Sequence, residues 1–469
     1  MTDCIYLDNN ATTKIDEEVI GAMMPYLTIY YGNPSSMHSF GGQVAKAVQK
    51  AREQVAALLG AEHSEIIFTS CGTEGDNAAI CAALTAQPDK HHIITTEVEH
   101  SAVLNFCKHL EKQGYSVTYL GVDSQGRLDL GEVQAALTGN TALVTMMYAN
   151  NETGVIFPVE EVGKLAKEYG ALFHVDAVQA VGKVPMDMSK SSIDLLTLSG
   201  HKLHAPKGVG ALYARKGINF PAFMIGGHQE RGRRGGTENV PGIIALGKAC
   251  ELAQSHLENL SHERQLRDYL ETSLLTLISD TVVNGTTEER LANTTNIAFK
   301  YVEGEGILSS LNQYGICASA GSACTSGSME PSHVLKAMGL PNSVLQGSIR
   351  FSLSRYTTQE EINRVIEIVP DIISHLRSIT PRIEDETTSS PTKEQEKANL
   401  IQQILEEEVK PFLAQDGGDI DLYDIEGDLV KVVLKGACDA CPSSTATLKL
   451  AIEARLKDRV DPELTVIAV

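Results

Sequence analysis

The sequence predicts an α/β protein built on a mostly parallel sheet covered on both faces, followed by a small independent domain. Three observations carry this. From about residue 65, short continuous apolar runs alternate with amphipathic segments, the pattern of strands buried on both faces and joined by helices. After residue 245 the pattern shifts to longer helices and shorter strands, which marks a second, smaller lobe. Then "SITPRIEDETTSSPTKEQEK" (378–397) is rich in Pro, Ser, Thr and charge, has almost nothing to bury, and reads as a linker.

Taken in order, "EIIFTS" (65–70) is a strand before a helix over 73–86, and "HIITTE" (92–97) a strand before a helix over 101–113. "TALVTMMY" (141–148) leads to a helix over 159–169, and "ALFHVDA" (171–177) is the next strand. "IDLLTLS" (193–199) and "GVGALYA" (208–214) read as strands at the far side of the sheet. Long helices follow over 245–278 and 359–377, with a strand at "NTTNIAFK" (293–300). The expected organisation is one unit over 1–376, with a large lobe at about 16–244 and a small lobe at about 1–15 and 245–376. Residues 377–397 link it to a domain over 398–469, with a helix (398–413), a strand (428–436) and a second helix (444–457).

Composition narrows the function. Hydrophobic residues make up 42% of the chain, enough for a sizeable core, and the net charge of −21 argues against nucleic acid or an anionic membrane as partner. No run approaches the roughly 18 apolar residues of a membrane span. The N-terminus lacks the basic region and apolar run of a secretory signal. Nine cysteines, an odd number at scattered spacing, then read as reduced thiols with metal or catalytic uses in the cytoplasm.

Four stretches carry chemistry. "LTLSGHKLHAPKGVG" (196–210) puts Lys202 just past a strand, and a lysine of lowered pKa is a nucleophile toward carbonyls. "HVDAVQAVGK" (174–183) ends a strand with Asp176, which faces the usual ligand crevice of an α/β sheet, and Gln179 follows one turn on. "TSCGTEGDN" (69–77) makes a strand, a Gly72–Thr73 turn and a helix start whose amides suit a phosphate. Lysine, carboxylate and phosphate cradle are together what pyridoxal 5′-phosphate needs. Finally, "SAGSACTSGS" (319–328) exposes one thiol, Cys324, on a segment of small residues with nothing to bury, where reactive thiols sit.

With those residues in view, the chain over about 3–376 resembles the pyridoxal-phosphate-dependent cysteine desulfurases of the nitrogen-fixation (NifS-like) type. "YLDNNATT", "YGNPSSMHSFG", "EVEHSAV", "NNETG", "HVDAVQ", "SGHKLHAPKGVGALY", "GGHQERGRRGGTENV", "SAGSACTSGS" and "SIRFSLSRY" match in order. Cys71 departs from the pattern, standing where the family more often has Gly or Ser. The resemblance implies a fold-type-I homodimer with a mostly parallel seven-stranded sheet and a small α+β lobe. It implies that Lys202 holds the cofactor and takes the substrate Cα proton, that Asp176 pairs with the pyridinium nitrogen, and that His100 stacks on the ring. Gln179 would reach the phenolic oxygen. Gly72, Thr73, Ser199 and His201 would hold the phosphate, with Thr237 from the partner subunit. Asn33, Asn151 and Arg350 would bind the substrate carboxylate, Arg350 being preferred over Arg355, and Asn151 would also touch the cofactor. L-cysteine would be converted to L-alanine with a persulfide on Cys324. A selenocysteine lyase or a class-V aminotransferase is the alternative enzyme reading, although an aminotransferase has no use for Cys324.

The tail adds "LKGACDACPSS" (434–444), in which Cys438 and Cys441 have the spacing of a redox pair or of half a metal site. The tail, over about 398–465, resembles the C-terminal domain of NifU-type iron–sulfur proteins, which implies a [4Fe–4S] cluster. Two thiolates cannot complete a four-sulfur shell, so the cluster is expected to be shared between two tails of a dimer. Iron–sulfur scaffolds or apo iron–sulfur proteins would be the acceptors. From a different class, the chain could act mainly as an iron–sulfur carrier.

Overall fold

A computed structural model describes residues 4–320 and 332–379, and in the tail 393–405, 409–410, 418–426, 429–436, 452–457, 459–461 and 464–468. The chain divides into two compact units, Met1–Ile383 and Glu384–Val469.

In the first unit the strands are β1 (Ile5–Tyr6), β2 (Ile66–Thr69), β3 (His92–Thr96), β4 (Ser116–Leu120), β5 (Thr141–Met147), β6 (Leu172–Asp176), β7 (Leu195–Ser199) and β8 (Gly210–Ala214). The smaller lobe adds β9 (Thr281–Val283), β10 (Thr294–Phe299), β11 (Ile316–Cys317), β12 (Ser319–Ala320) and β13 (Ser348–Ser352). Seven of them form one sheet in the order β2-β8-β7-β6-β5-β3-β4, in which β8 alone runs antiparallel to its neighbours.

Period-2 alternation sends neighbouring residues to opposite faces, and in this sheet both faces are buried. Ile66, Phe68, Ile94, Val144, Phe173 and Val175 pack into one core, whereas Ile67, Ile93, Leu143, Leu195 and Leu212 pack into another. That double burial is why these strands read as unbroken apolar runs.

Two expectations are corrected. β7 and β8 do not lie at the far side of the sheet; they sit between β2 and β6, inside it. The helix expected over 245–278 is two helices, Val240–His256 and Ser261–Leu277, parted by a tight turn at Leu257–Asn259. The sheet also holds β4, which the sequence pattern did not reveal. It is an edge strand with only Leu120 buried, so "SVTYL" lacks a continuous apolar run.

One glycine fixes how the Gly72–Ala86 helix lies on the sheet. A Cβ at Gly75 would stand 2.6 Å from Thr197 Cγ2 on β7, so only glycine lets the helix press this close. Gly75→Ala is expected to destabilise the protein by about 1–2 kcal/mol, overpacking outweighing the better helix propensity of alanine. The midpoint of urea unfolding measures it.

The small lobe is a four-stranded antiparallel sheet, β12-β13-β10-β9, with the Ser261–Leu277 and Gln359–Ile379 helices packed together beside it. Leu7, Leu270, Phe299, Phe351 and Val369 fill its core. Leu7 belongs there because β1 crosses over from the N-terminus to pair in parallel with β11.

The second unit, as far as it is described, is a three-stranded sheet of β14 (Gly418–Glu426), β15 (Leu429–Gly436) and β16 (Thr465–Ala468) with the Lys393–Ile404 helix. Its core holds Ile401, Leu405, Ile420, Val430, Leu456 and Val466. Among the described residues no helix is long and apolar enough to cross a membrane.

Candidate active site

The carboxyl ends of β2, β3, β5, β6 and β7 open on one edge of the sheet, where α/β proteins bind their ligands. A cavity of about 360 Å³ lies there. Lys202, Asp176, Gln179, His100, Arg350 and Asn151 wall it, together with Gly72, Thr73, Ser199 and His201. Two candidate residues are not in this wall. Asn33 is exposed, its Oδ1 accepting from the Ser35 amide at 2.8 Å in a local turn. Thr237 is also exposed and lines a separate cavity of about 140 Å³ beside Arg234 and Glu230. Cys324, Cys438 and Cys441 lie outside the described residues.

Lys202 comes from the tight turn Gly200–Lys202 that directly follows β7. Its Nζ donates to the carbonyl oxygens of Asn10 at 2.5 Å and Ala11 at 2.8 Å. Those carbonyls belong to the segment after β1, so the N-terminus of the chain helps to seat the lysine. Gln179 is set in the same frame: its Nε2 donates to the Asn10 carbonyl at 2.9 Å, and its Oε1 accepts from Lys183 Nζ at 3.0 Å. A carbonyl can only accept, so Asn10 fixes which end of the Gln179 amide is the nitrogen. Burial and the nearby charges of Lys202 and Arg350 push the Lys183 amine down to about 7.

Two buried carboxylates, Asp176 and Asp76, line the same cavity. Asp176 Oδ1 accepts from the Val178 amide at 2.9 Å; burial pushes its carboxyl up, while the charges of His100 and Lys202 draw it back. Asp76 is pushed well above the usual carboxylate range by burial and by the charge of Asp176. Its Oδ1 has no hydrogen-bond partner among the described residues, and His174 Nε2 stands 3.6 Å away. Burial holds His174 down to about 3, so the imidazole is neutral and offers no counter-charge. Asp76 is therefore the harder of the two to ionise, and the charges of His100 and Lys202 favour the negative charge on Asp176.

Arg350, on β13, donates through Nη2 to Asp8 Oδ1 at 2.6 Å and through Nη1 to the Asn151 carbonyl at 2.9 Å. Its Nε is buried without a partner among the described residues. Arg355 has structural work instead, pairing with Asp16 at 2.7 Å and lying over the Tyr356 ring at 5.1 Å.

The walls fit pyridoxal phosphate. No side chain caps the Gly72–Ala86 helix, whose N-cap is Cys71, so its first amides are available to a phosphate. Ser199 Oγ is buried without a partner among the described residues. A Cβ at Gly72 would meet Val178 Cγ2 at 3.0 Å and narrow the cradle. Burial and the charges of Lys202 and Lys207 push His201 down to about 4, which leaves a neutral ring; its Nδ1 is 3.2 Å from Thr12 Oγ1. His100 caps the Ser101–Glu111 helix through Nδ1, which accepts from the Ala102 amide at 3.2 Å and fixes the ring at the cavity wall.

Sequence reasoning gave no role to Asp8, Asn10, Ala11, Asp76 or Lys183. All five stand within quoted stretches, "YLDNNATT", "TSCGTEGDN" and "HVDAVQAVGK", and that position was the available signal. Among the described residues no group of three or more His, Cys, Asp or Glu is placed to hold a metal ion.

The chain is similar to known proteins over most of its length. Residues 5–365 match the model of the aminotransferase class-V family, and residues 401–467 match that of the NifU-like domain. Cysteine desulfurase 2 of Trichormus variabilis is 70% identical over 382 residues, which span 81% of this chain and 96% of that one. Cysteine desulfurase NifS of Azotobacter vinelandii is 57% identical over 379 residues, 80% of this chain and 94% of that protein. A solved NifS-like protein superposes with a TM-score of 0.75 at 40% identity, covering 80% of this chain and all of the other.

Proposed function

The chain belongs to the aminotransferase class-V family, among its cysteine desulfurases, and carries a NifU-like domain; from that premise we propose that it converts L-cysteine to L-alanine and leaves the sulfur as a persulfide on Cys324. The observation that carries the reading is the one cavity wall shared by Lys202, Asp176, His100 and Arg350.

Pyridoxal phosphate, when bound, supplies a carbonyl for a lysine amine and an electron sink for the substrate. Lys202 holds it and takes the substrate Cα proton on Nζ, kept in place by the Asn10 and Ala11 carbonyls. Asp176 would hold a proton at the ring nitrogen, His100 would lie against the ring, and Gln179 would reach the phenolic oxygen. The amides at Gly72 and Thr73 would hold the phosphate with Ser199, His201 and Thr237 of the partner subunit. Arg350, with Asn151, takes the substrate carboxylate, a task that suits the planar guanidinium. The Cys324 thiolate attacks the substrate sulfur: a sulfur–sulfur bond forms, the carbon–sulfur bond breaks, and the carbon is protonated to alanine.

Anaerobic turnover with L-cysteine and a thiol reductant tests the assignment. Alanine and sulfide should appear in equal amounts; a keto acid in place of alanine would identify an aminotransferase.

The tail extends the reading to iron–sulfur assembly in the cytoplasm. Cys438 and Cys441 of two chains in a homodimer supply four thiolates, which is the ligand set of a [4Fe–4S] cluster. Exposed Ile20, Met24, Leu27, Ile29 and Tyr31 on and after the Glu17–Thr28 helix support a second copy as partner. Sulfur and cluster then pass to a scaffold or to apo iron–sulfur proteins. Anaerobic reconstitution should give about four irons per dimer, and Cys438→Ala should lose them. Iron retained by that variant would reject the shared cluster.

A further inference from the structure

Two thiols meet where the N-terminal strand joins the small lobe. β1 and β11 pair in parallel, with Ile5 opposite Ile316 and Tyr6 opposite Cys317. The Ile5 amide donates to the Gly315 carbonyl at 2.9 Å and the Leu7 amide to the Cys317 carbonyl at 2.8 Å. This register brings Cys4 Sγ to 3.1 Å from Cys317 Sγ, although 313 positions separate them in sequence. Cys4 is exposed and Cys317 half-buried, so a small reagent reaches the first and the second lies directly behind it. Cys107 and Cys250, by contrast, are buried.

The place matters because both strands lead into the active site. Past β1, Asp8 holds Arg350, and Asn10 and Ala11 hold Lys202. Past β11, β12 pairs with β13 and sets Ser319 opposite Arg350. The sulfur pair is thus at the root of two segments that seat the lysine and the arginine.

We propose that Cys4 and Cys317 are a redox-modification site, a dithiol that low-molecular-weight disulfides such as glutathione disulfide convert to an intrachain disulfide tying β1 to β11. The exposed Cys4 thiolate attacks the external disulfide, forms a mixed disulfide and expels one thiolate. The Cys317 thiolate then attacks the Cys4 sulfur, closes the Cys4–Cys317 bond and expels the second thiolate. Two protein thiols lose two electrons and two protons, and the external disulfide gains them as two thiols.

The environments assign the order of attack. Burial, the hydrogen bond and charge of Cys4, and the charge of Asp8 push the Cys317 thiol up to about 11, so it waits while Cys4 reacts. Once Cys4 is capped, its thiolate charge and its thiol hydrogen bond are gone, and two of the causes that keep Cys317 protonated go with them. The first step thereby activates the second. In a reducing cytosol the same exchange run backwards reopens the bridge, which makes it conditional rather than structural.

The test treats the full-length protein with glutathione disulfide, blocks free thiols, and maps peptides by mass spectrometry without reduction. The Cys4 and Cys317 peptides should appear joined, two hydrogens lighter than their sum, within a monomeric chain on a non-reducing denaturing gel. In Cys317→Ser, Cys4 should instead keep one glutathione. The wild-type protein alone can overturn the proposal: a stable glutathione on Cys4, both thiols left free, or Cys4 linked to another chain would each do so. Amide hydrogen exchange over residues 5–11 should slow in the bridged form and recover with dithiothreitol; unchanged exchange would reject the fastening of that segment.

Discussion

Cys324→Ser is expected to lower alanine release from L-cysteine by on the order of 10⁴-fold or more while the protein still binds its cofactor and stays yellow. A thiolate attacks sulfur readily near neutral pH, whereas a serine hydroxyl is almost entirely protonated there and is a poor nucleophile toward sulfur. The groups that seat Lys202 and Arg350, namely Asn10, Ala11, Asp8 and Asn151, are untouched by the change. Loss of alanine with colour retained separates sulfur transfer from cofactor binding. Unchanged alanine release would remove Cys324 from the reaction.

Lys202→Ala is the second large effect, a loss of at least ~10³-fold in turnover, the range of a positioned proton-transfer group, together with loss of covalent attachment of the cofactor. The variant should also free the Ala11 carbonyl, which accepts from Nζ at 2.8 Å, and leave the Asn10 carbonyl to Gln179 Nε2 alone. A small primary amine added to the variant should restore part of the proton transfer. Absorbance of the bound cofactor and alanine production are the two readouts; covalent attachment that survives the substitution would point to a different lysine. Lys183 is the natural competitor, because its amine is pushed down to about 7 and it donates to Asn10 Oδ1 at 3.3 Å.

The parts of the site that were legible in the sequence are those that local patterning governs. A strand buried on both faces is largely apolar, so β2, β3, β5, β6 and β7 announced themselves, and a functional residue at the end of such a strand could be read directly from position. Asp176 and Lys202 are of this kind. What a side chain at a strand end does there came from resemblance, as with His100 and Gln179.

The unread parts depend on chain crossings that no local window contains. β1 and β11 are two residues each, too short for any period, and their pairing brings the N-terminus across the small lobe. The Asp8–Arg350 and Lys202–Asn10 contacts follow from that crossing. Edge strand β4 was missed because one exposed side mixes polar residues into it. The break at Leu257–Asn259 falls within a continuous amphipathic pattern in which no proline or glycine stands between 248 and 280 to mark it.

The pairing of Asp8 with Arg350 has a consequence for turnover. L-cysteine and L-alanine carry the same carboxylate, so an arginine that clamps it holds product as firmly as substrate. Binding of that uniform kind slows release without speeding chemistry. Asp8 Oδ1, 2.6 Å from Nη2, offers an internal stand-in. With Arg350 in the proposed role, each arrival and departure would exchange one ion pair for another, and the buried guanidinium would never be left bare, which is the expensive state. The aspartate is a placeholder that keeps the seat warm between guests and so makes the grip on each of them reversible.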